Sequence, residues 1–492
     1  MSQESQITRR TFMASTATAL GAVAALTAGR AEARTGKPAG TTDVIVVGAG
    51  LSGLYATLLL EEMGYKVTLL EGRNRVGGKV YTMDDVPGAP EGGAGSISAN
   101  YARLLDVVNR YGVELVPARN QLPFGQDSMM NLGGENIFYN QWEGHARNPF
   151  PDAFRATLPW RVAGPLIAKD NPLTRTEQFV DPAFAKYEMS MYQYLRSKGF
   201  DDASIKLAHE INPGSVDETG AHGSSLLVSY SSVTFGKLGA NINAAGFPRA
   251  AKGGNLRIPE GMARHVKTEI QMNSNVVGIV NGKDYAEVFL DDGRSLKGKR
   301  VIVTVPFSAL RLMKLDAPIH PLQSEAINTL GYAIATHLSF VPKRKFWELD
   351  GLPPSMWTDG PAGRVAPLRN NPKDPNEITT FWVLCAGANA RYIDRMTQEE
   401  GTKYILDYLA RIRPSTKGAL ELVKFWSWQQ DRFGCGTWAS WHPGQPTKFG
   451  NEMRLPAGRI HFAGEHTSLY SRGMEGAMES GERAAFEAAG SL

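Results

Sequence analysis

The sequence is poor in the residue types that build metal centres and disulfide frameworks. It has only two cysteines, Cys385 and Cys435, and nine histidines that show no ligand-like spacing. Long blocks of one charge are also missing, since 53 Lys and Arg are interspersed with 49 Asp and Glu. No apolar run beyond the N-terminal segment is long enough to span a bilayer. We therefore expect no metal, no nucleic-acid partner and no membrane-spanning segment in the mature chain.

The first 33 residues are predicted to be a twin-arginine signal peptide. The paired arginines Arg9-Arg10 precede an apolar run of small residues at 14–29, and an A-x-A cleavage site ends at Ala33. An uncleaved membrane anchor is the alternative, but the run is short and ends in a processing site. Twin-arginine export carries folded proteins, which suits a protein that acquires its cofactor in the cytoplasm. We expect residues 34–41 to be a linker and the mature protein to be periplasmic or secreted.

Residues 42–71 carry the pattern of a dinucleotide-binding βαβ unit. A β-branched run ends in the glycine motif Gly48-x-Gly50-x-x-Gly53, and a helical pattern and a second apolar run follow. The first glycine permits the turn, the second lets the backbone approach a pyrophosphate, and the third lets helix and strand pack closely. Glu71, at the tip of the second run, is suited to accept hydrogen bonds from a ribose and argues against NADP. The predicted cofactor contacts here are Gly48, Gly50, Leu51, Ser52, Gly53 and Glu71.

Two further glycine clusters follow between residues 72 and 96. The first, at 72–79, puts cations and bare backbone amides beside the expected pyrophosphate, and the second lies at 93–96. Each cluster alone is typical of a loop, but their proximity to the nucleotide motif indicates one site. The predicted contacts are Gly72, Arg73, Gly77, Gly78, Lys79, Gly93, Ala94, Gly95 and Ser96.

The rest of the chain predicts an α/β protein of two interleaved domains. We assign residues 42–118, 250–306 and 445–492 to a discontinuous nucleotide-binding domain, and residues 119–249 and 307–444 to a substrate domain with a helical insertion. In the insertion, 181–198 and 202–211 are predicted to be helices. Segments 334–341, 345–347 and 379–384 are predicted to be strands of a second, mixed sheet. Near the C-terminus, a strand ends at Gly464-Glu465 and a helix begins close to residue 472.

In this order the motifs resemble the flavin-containing monoamine oxidase family, which includes polyamine oxidases, L-amino acid oxidases and bacterial nicotine oxidases. The resemblance rests on the glycine turn with Glu71 and on segments 75–78, 428–444 and 463–477, and covers nearly all of the mature chain. It implies a Rossmann-type, GR2-like FAD-binding domain. It also implies that Val276 meets the adenine, that Gly464 and Glu465 lie near the ribityl-pyrophosphate, and that Gly473 and Met474 present a helix N-terminus to the flavin ring.

The resemblance also indicates which residues surround the substrate. Family members often hold the amine between two aromatic side chains, of which Trp438 would be the first; plain core packing is the alternative. Glycine occupies the second position, Gly473, so an open cage would admit a bulkier or carboxylated substrate. An amine is nevertheless favoured over an α-amino acid, because residues 95–100 lack the arginine that L-amino acid oxidases use. Trp428 is a further candidate to line the cavity.

Two departures from the family concern the flavin itself. Members with covalent flavin use a cysteine near the tryptophan segment, but Cys435 is out of register, so we expect non-covalent FAD. His337 occupies the position of a lysine that holds a water at the flavin N5 edge, unless the register slips and it is an ordinary core histidine. A titratable imidazole there would slow the reaction with oxygen.

The resulting hypothesis is an exported FAD enzyme that oxidatively deaminates a small-to-medium amine to an aldehyde or ketone. Oxygen as acceptor would give hydrogen peroxide. An L-amino acid oxidase, a flavin amine dehydrogenase that feeds a periplasmic electron-carrier protein, and a non-catalytic flavin-binding protein stay open as alternatives. A homodimer is compatible with all of them.

Overall fold

The structure is a computed structural model that describes residues 42–118, 128–210, 217–241, 246–371 and 373–492. The predicted signal peptide and linker lie outside these residues. Across the described ranges, no helix combines the length and apolar character needed to cross a membrane. The same ranges hold no group of three or more His, Cys, Asp or Glu side chains arranged to bind a metal ion.

The strands form two large sheets and three two-stranded ribbons. In chain order they are β1 Thr42–Val47, β2 Val67–Leu70, β3 Tyr81–Thr82, β4 Glu91–Gly93, β5 Leu115–Pro117, β6 Ser128–Leu132, β7 Glu135–Phe138, β8 Arg249–Ala251, β9 Ile270–Gln271, β10 Val276–Asn281, β11 Ala286–Leu290, β12 Ser295–Val303, β13 Lys314–Asp316, β14 Gly331–Tyr332, β15 Ala335–Pro342, β16 Ser355–Thr358, β17 Arg364–Leu368, β18 Thr380–Ala386, β19 Leu420–Ser427, β20 Ala439–Ser440 and β21 Ile460–Phe462.

The α-helices pack against the faces and edges of these sheets. In chain order they are α1 Leu51–Glu62, α2 Ala102–Arg110, α3 Ala163–Asp170, α4 Met191–Ser197, α5 Asp202–Ile205, α6 Gly220–Gly223, α7 Leu226–Asn241, α8 Arg257–Ala263, α9 Phe307–Leu310, α10 Pro321–Thr329, α11 Phe346–Asp350, α12 Gly387–Ile393, α13 Gln398–Ile412, α14 Gln445–Phe449 and α15 Gly473–Gly490.

The first sheet contains the predicted nucleotide-binding unit. Its strand order is β13-β10-β11-β12-β1-β2-β9, with the C-terminal strand β21 added parallel to the end of β12. Strand β1 lies parallel to both β2 and β12, and both of its faces are buried in separate apolar clusters. This explains its uninterrupted apolar sequence. The carboxyl ends of β1, β2, β12 and β21 meet at one edge, which is where open α/β sheets bind ligands.

The second sheet has the order β19-β15-β18-β17-β16-β6-β7. On the outer face of β15, Leu338 and Phe340 pack in an apolar cluster with residues of α13. The opposite face carries His337 and Ser339, and the Ser339 hydroxyl lies 3.9 Å from the sulfur of Met83 in the glycine-rich part of the chain. Strand alternation therefore turns His337 towards the nucleotide-binding region.

Three local predictions differ from the structure. Residues 345–347, predicted as a strand, lead into helix α11, which ends at Gly351 in the left-handed conformation, φ 67°. The predicted helix at 181–198 is broken into a 3-10 segment, Pro182–Tyr187, and helix α4, because Ser190 starts a new capping box. The insertion also contains the hairpin β6–β7, which extends the second sheet at its edge.

Candidate functional site

The glycine turn after β1 leaves the N-terminus of α1 open to a ligand. Gly50 is the N-cap, no side chain caps the helix, and its first turn carries no acidic residue. The first amides are therefore available for an anion. Gly48 has φ 106°, and a Cβ there would lie 2.6 Å from the hydroxyl oxygen of Thr304. That hydroxyl donates to the carbonyl of Val47 at 2.8 Å, so side chains are excluded from the turn.

Glu71 is buried at the tip of β2 and ties the turn to its surroundings. Its two carboxylate oxygens accept hydrogen bonds from the backbone N–H groups of Ala49 and Arg73, each at 2.8 Å. The backbone carbonyl of Glu71 accepts a hydrogen bond from the N–H of Ser274 at 2.8 Å. Buried Val276 begins β10 two residues later, so the predicted ribose and adenine contacts lie on neighbouring chain segments.

The second glycine cluster packs directly on the first. The N–H of Gly77 donates to the carbonyl of Ala49 at 2.8 Å, and a Cβ at Gly50 would lie 3.7 Å from the Cα of Gly78. The Arg75 guanidinium donates to the carbonyls of Val76 and Gly78 at 3.2 and 3.1 Å. Two stretches of bare backbone are thus held together, which is what the close approach of a pyrophosphate requires.

The third cluster is held by Trp428. Its indole N–H donates to the carbonyl of Gly92 at 2.6 Å, and the side chain is 1% exposed. Ala94 adopts φ 64°, and its carbonyl accepts a hydrogen bond from the amide of Asn255 at 2.5 Å. Trp428 therefore supports the backbone of Gly92 and Gly93 through its buried indole ring. Its predicted role in lining the substrate cavity stays a prediction.

Trp438 differs from its neighbours in exposure. Its side chain is 45% exposed, whereas Trp428 and Trp441 are both buried. The carbonyl of Trp438 accepts a hydrogen bond from the N–H of Ala333 at 2.9 Å, which fixes the backbone and leaves the ring open. An exposed indole on a fixed backbone is suited to be one wall of a binding cavity.

Lys79 connects the glycine cluster to the tryptophan segment. Its ammonium donates to the carbonyl of Thr437, next to Trp438, and lies 4.8 Å from the ring centroid of Tyr332. Burial lowers the pKa of Lys79 to about 8. Burial also raises the pKa of the Glu465 carboxyl, which accepts the N–H of Ala439 at 2.8 Å. Gly464, the residue before it, has φ 114°.

Arg73 makes a second connection between the same two regions. Its guanidinium forms an ion pair with Asp431 in the tryptophan segment and lies 3.9 Å from the Glu71 carboxylate. The expected cofactor contacts and the expected substrate wall are therefore joined by direct bonds. These partners could not be predicted from the sequence, because 358 residues separate the two members of each pair along the chain.

His337 is buried and neutral in the structure. Burial lowers its pKa to about 3, and its Nδ1 accepts the indole N–H of Trp382 at 2.7 Å. That hydrogen bond leaves the proton on Nε2. The expectation of an imidazole that titrates near neutral pH does not fit this environment. The predicted location beside the flavin N5 edge stays a prediction.

Helix α15 begins at a glycine whose Cβ position has, among the described residues, only the Tyr101 side chain within 4 Å. Gly473 is exposed with φ 57°, and a Cβ there would lie 3.2 Å from the hydroxyl oxygen of Tyr101. Met474 is buried, and Arg472 is the N-cap. Sequence reasoning missed both Tyr101 and Arg472. Their positions next to predicted contacts at 96 and 473 were the only signal available.

Taken together, the residues of this site fit a dinucleotide such as FAD. Side-chain-free turns meet an uncapped helix N-terminus at the carboxyl edge of the first sheet, and Glu71 lies at the tip of β2. The remaining predicted contacts, Leu51, Ser52, Gly53, Gly72, Gly95 and Ser96, lie in the same three glycine-rich segments.

Comparison with known proteins agrees with this geometry. The profile of the family described as "Flavin containing amine oxidoreductase" matches residues 51–488. A flavin-containing amine oxidase of Danio rerio is 26% identical over 458 residues, which are 90% of this chain and 85% of that protein. An L-amino-acid oxidase of Sistrurus catenatus edwardsii is 23% identical over 459 residues, with coverages of 90% and 86%.

Among solved structures, the cyclohexylamine oxidase from Brevibacterium oxydans IH-35A superposes with a TM-score of 0.71. The match covers 92% of this chain and 99% of that one at 20% identity, a level at which the likeness establishes the fold. The predicted α/β architecture of mixed sheets and helices is thereby confirmed. From the family profile, the chain belongs to the flavin containing amine oxidoreductase family and is an FAD-dependent oxidoreductase that acts on amines.

Proposed function

We propose that this chain removes two electrons from the C–N bond of a small-to-medium primary or secondary amine. Water then hydrolyses the imine to an aldehyde or ketone and releases ammonia or an amine. The proposal is carried by the half-exposed ring of Trp438, which lies on a backbone bonded to the glycine cluster through Lys79 and Thr437. The names of the amine oxidase from Danio rerio and of the cyclohexylamine oxidase support the same substrate class.

FAD, when bound, supplies the electron-accepting chemistry, and the side chains orient the amine and exclude water. Trp438 offers a flat, apolar wall. His337 offers an Nε2–H donor that keeps its proton, because Trp382 occupies Nδ1. The N-terminus of α15 offers backbone N–H groups and positive potential at Gly473 and Met474. None of these groups acts as a nucleophile in the proposal.

We further propose oxygen as the electron acceptor. For a primary amine, the reaction then consumes amine, O2 and water and yields aldehyde, ammonia and hydrogen peroxide in equal amounts. A carrier protein is the second candidate, favoured by one observation: the group at position 337 is a neutral imidazole, whereas a cation would assist the reaction with oxygen.

An anaerobic reduction experiment tests the reaction and the acceptor in sequence. The purified, FAD-loaded protein is mixed with a panel of amines, and the loss of flavin absorbance is followed before air is admitted. Reduction by amines and rapid recovery in air support an oxidase. Slow recovery in air, with fast recovery on adding an artificial one-electron acceptor, contradicts oxygen as the acceptor. If no amine reduces a flavin that dithionite reduces, the non-catalytic alternative replaces the proposed function.

We also propose that the protein is exported in folded form through its twin-arginine signal. The support is the sequence at Arg9-Arg10 and the cleavage motif that ends at Ala33. Replacing both arginines with lysine should retain the FAD-loaded precursor in the cytoplasm, whereas lysine substitution at Arg34, after the motif, should leave export unchanged. Equal export of both variants contradicts the proposal.

We also propose that the processed protein is a homodimer. Its oligomeric state is measured by sedimentation.

A further inference from the structure

The backbone around Trp438 belongs to a short two-stranded ribbon. Strand β20, Ala439–Ser440, follows the tryptophan directly and pairs with β14, Gly331–Tyr332. The N–H of Ala333 donates to the carbonyl of Trp438 at 2.9 Å, and the N–H of Thr437 donates to the carbonyl of Ala333 at 2.8 Å. Among the described residues, no hydrogen bond or ring–ring contact holds the indole itself. The direction of the ring therefore depends on how this backbone is held.

Two charged side chains bind the peptide groups on either side of Trp438. The ammonium of Lys79 donates to the carbonyl of Thr437, the residue before it. The carboxylate of Glu465 accepts the N–H of Ala439, the residue after it, at 2.8 Å. A hydrogen bond with a charged partner is stronger than one between neutral groups. Each neighbour of the tryptophan is thus fixed by a charged group.

Both charged groups come from segments that the sequence assigns to the cofactor. Lys79 ends the second glycine cluster, and Glu465 follows β21, whose carboxyl end lies at the ligand-binding edge of the first sheet. The ammonium of Lys79 also lies 4.8 Å from the ring centroid of Tyr332 in β14. The hydroxyl of Tyr332 accepts the N–H of Phe307 at 2.9 Å, which fixes that ring. Lys79 therefore contacts both chain segments that form the ribbon.

The charges of Lys79 and Glu465 support each other across the site. Among the described residues, no carboxylate lies within ion-pair distance of the Lys79 ammonium. Burial lowers the pKa of Lys79 to about 8, and the charge of Glu465 opposes this shift. Burial raises the pKa of the Glu465 carboxyl, and the charge of Lys79 opposes that shift. Lys79 is therefore still a cation at neutral pH, and the donor to Thr437 is charged.

We propose that Lys79 and Glu465 are positioning residues for Trp438, and that they act by fixing the peptide groups on either side of it. The ring is then presented to the amine in one direction although the side chain itself is exposed. The wall on the substrate side is thus supported by the side chains that the sequence assigns to the cofactor. This inference rests on the proposed function and adds two residues to the machinery of the same site.

A spectroscopic measurement follows Trp438 without any turnover. The protein is labelled with fluorotryptophan, and the fluorine NMR resonance of Trp438 is assigned by its loss in Trp438→Phe. Lys79→Met and Glu465→Leu should each shift or broaden this resonance, in the FAD-loaded and in the cofactor-free protein. The resonance of buried Trp142, assigned in the same way, should not move. Lys79→Arg and Glu465→Gln keep a donor and an acceptor, and should restore the wild-type resonance.

The same resonance should depend on pH. Above about pH 8, Lys79 loses its charge and its bond to Thr437 weakens, so the wild-type resonance should move towards its position in Lys79→Met. This movement should be absent in Lys79→Met, and also in Lys79→Arg, whose guanidinium stays charged. A movement confined to the wild type is not explained by the other groups that face Lys79, because all three proteins contain them. These groups are Glu465, Arg73, Asp431, Cys435, Tyr332 and His466.

A double-mutant cycle tests whether the effect on amine oxidation passes through Trp438. Alone, Lys79→Met should lower kcat/KM per bound FAD about 10- to 100-fold, as expected for a lost charge-assisted hydrogen bond. In the Trp438→Ala background it should lower kcat/KM by less than about threefold, because the side chain that it positions is gone. Lys448→Met, at a side chain that is 53% exposed, is the control for removal of a lysine charge and should leave kcat/KM unchanged.

The outcomes separate the inference from the function on which it rests. An unmoved Trp438 resonance in either Lys79→Met or Glu465→Leu overturns the inference. Equal losses of kcat/KM from Lys79→Met with and without the tryptophan show that Lys79 acts on the flavin instead, and overturn it as well. If no amine reduces the flavin, the proposed function has failed, and the resonance alone decides the inference. Should Lys79→Met lose FAD, the spectra of the cofactor-free protein decide.

Discussion

Two tryptophans ten residues apart show how differently single side chains contribute to this site. Trp428 is buried and donates to the carbonyl of Gly92 at 2.6 Å. Trp438 is half-exposed, and within the described residues it is held through its backbone carbonyl. Removing the first therefore leaves a buried carbonyl unpaired, and removing the second leaves the core unchanged. The same residue type has a structural role at one position and a binding role at the other.

We expect Trp438→Ala to lower kcat/KM for amines about 10- to 100-fold while the free energy of unfolding changes by no more than about 0.5 kcal/mol. Trp428→Phe should instead lower the free energy of unfolding by about 1–3 kcal/mol, with activity per bound FAD retained. Urea unfolding and anaerobic reduction, both normalised to flavin content, make the comparison. A loss of stability in Trp438→Ala equal to that in Trp428→Phe would show that Trp438 is core packing.

His337 gives a pH dependence of stability whose sign follows from its environment. Burial holds its pKa at about 3, well below the ordinary value of 6.5, so the unfolded chain binds a proton that the folded chain excludes. The stabilisation is complete above pH 6.5 and is lost as the pH falls towards 3. Relative to His337→Gln, the wild type should lose about 1.4 kcal/mol of unfolding free energy per pH unit below about pH 6.

The measurement is urea unfolding of both proteins from pH 7 to pH 4, with the difference between them plotted against pH. Taking the difference cancels other buried groups, including Glu91, whose pKa burial raises to about 8. A difference that is flat with pH would mean that the pKa of His337 in the fold equals its ordinary value of 6.5, and that burial does not lower it. His209→Gln is a matched control away from the site, because burial lowers the pKa of His209 to about 4 and the same slope is expected.

Single site residues could be predicted from the sequence where groups that are close along the chain are also close in the fold. Glu71 follows the glycine turn at the spacing of a βαβ unit, so its position was predictable. The positions of Arg472 and Tyr101 were not predictable, because each side chain contacts a helix far away in the sequence, Arg472 at Ser231 and Tyr101 at Phe235. The bond between Lys79 and Thr437 depends in the same way on tertiary packing.

At the scale of elements, the turn between β1 and α1 is the most constrained part of the site. Gly48 combines a left-handed backbone with a Cβ position 2.6 Å from Thr304. Gly64, after α1, has φ 88°, and no atom of the described residues lies within 4 Å of its Cβ position. Comparing the two glycines separates the free-energy cost of a left-handed backbone from the cost of placing a Cβ in occupied space. One glycine is required by conformation alone, and the other by conformation and by space.

Gly48→Ala should therefore destabilise the protein more than Gly64→Ala. We expect about 1 kcal/mol from the left-handed backbone in both variants, and a further 1–3 kcal/mol from overpacking in Gly48→Ala alone. Gly48→Ala should also lose FAD during gel filtration, because Thr304 must move away from the turn. Thermal unfolding and flavin content are the measurements. Equal stability of the two variants would mean that Thr304 rearranges without cost.

Elements with strong local signals were predicted nearly to the residue, and short aromatic segments were not. The predicted strands at 334–341 and 379–384 agree within two residues with β15, Ala335–Pro342, and β18, Thr380–Ala386. By contrast, 345–347 is too short to show a period, and the packing of Phe346 and Trp347 on Phe381 selects a helical turn. Tertiary contact decides where the local pattern is brief.

At the scale of the molecule, the features that fit the cofactor come from distant parts of the chain. The turn at 48–53, Glu71, the start of β10 and the N-terminus of α15 all lie around the carboxyl edge of the first sheet. The turn at 48–53, Glu71 and the start of β10 together form the βαβ end of the site, which the family resemblance assigns to the adenosine half of FAD. The resemblance assigns the N-terminus of α15 to the flavin ring.

Removal of the cofactor should thus lower the thermal midpoint, and FAD should restore it in a concentration-dependent way. FMN, which lacks the adenosine half, should restore it little, because the contacts around Glu71 and Val276 have no counterpart in it. Differential scanning fluorimetry of the apoprotein with FAD, FMN and ADP makes the test. ADP should stabilise partially. Full rescue by FMN would contradict the assignment of the βαβ end to adenosine.

The last helix packs against the first. In α15, a Cβ at Gly481 would collide with the backbone of Ser52 in α1, and strand β21 completes the first sheet beside β12. The first helix, which is synthesised early, therefore reaches its final packing only after a helix from the other end of the described residues has docked on it. We expect the cofactor to be held fully only once the two helices are together.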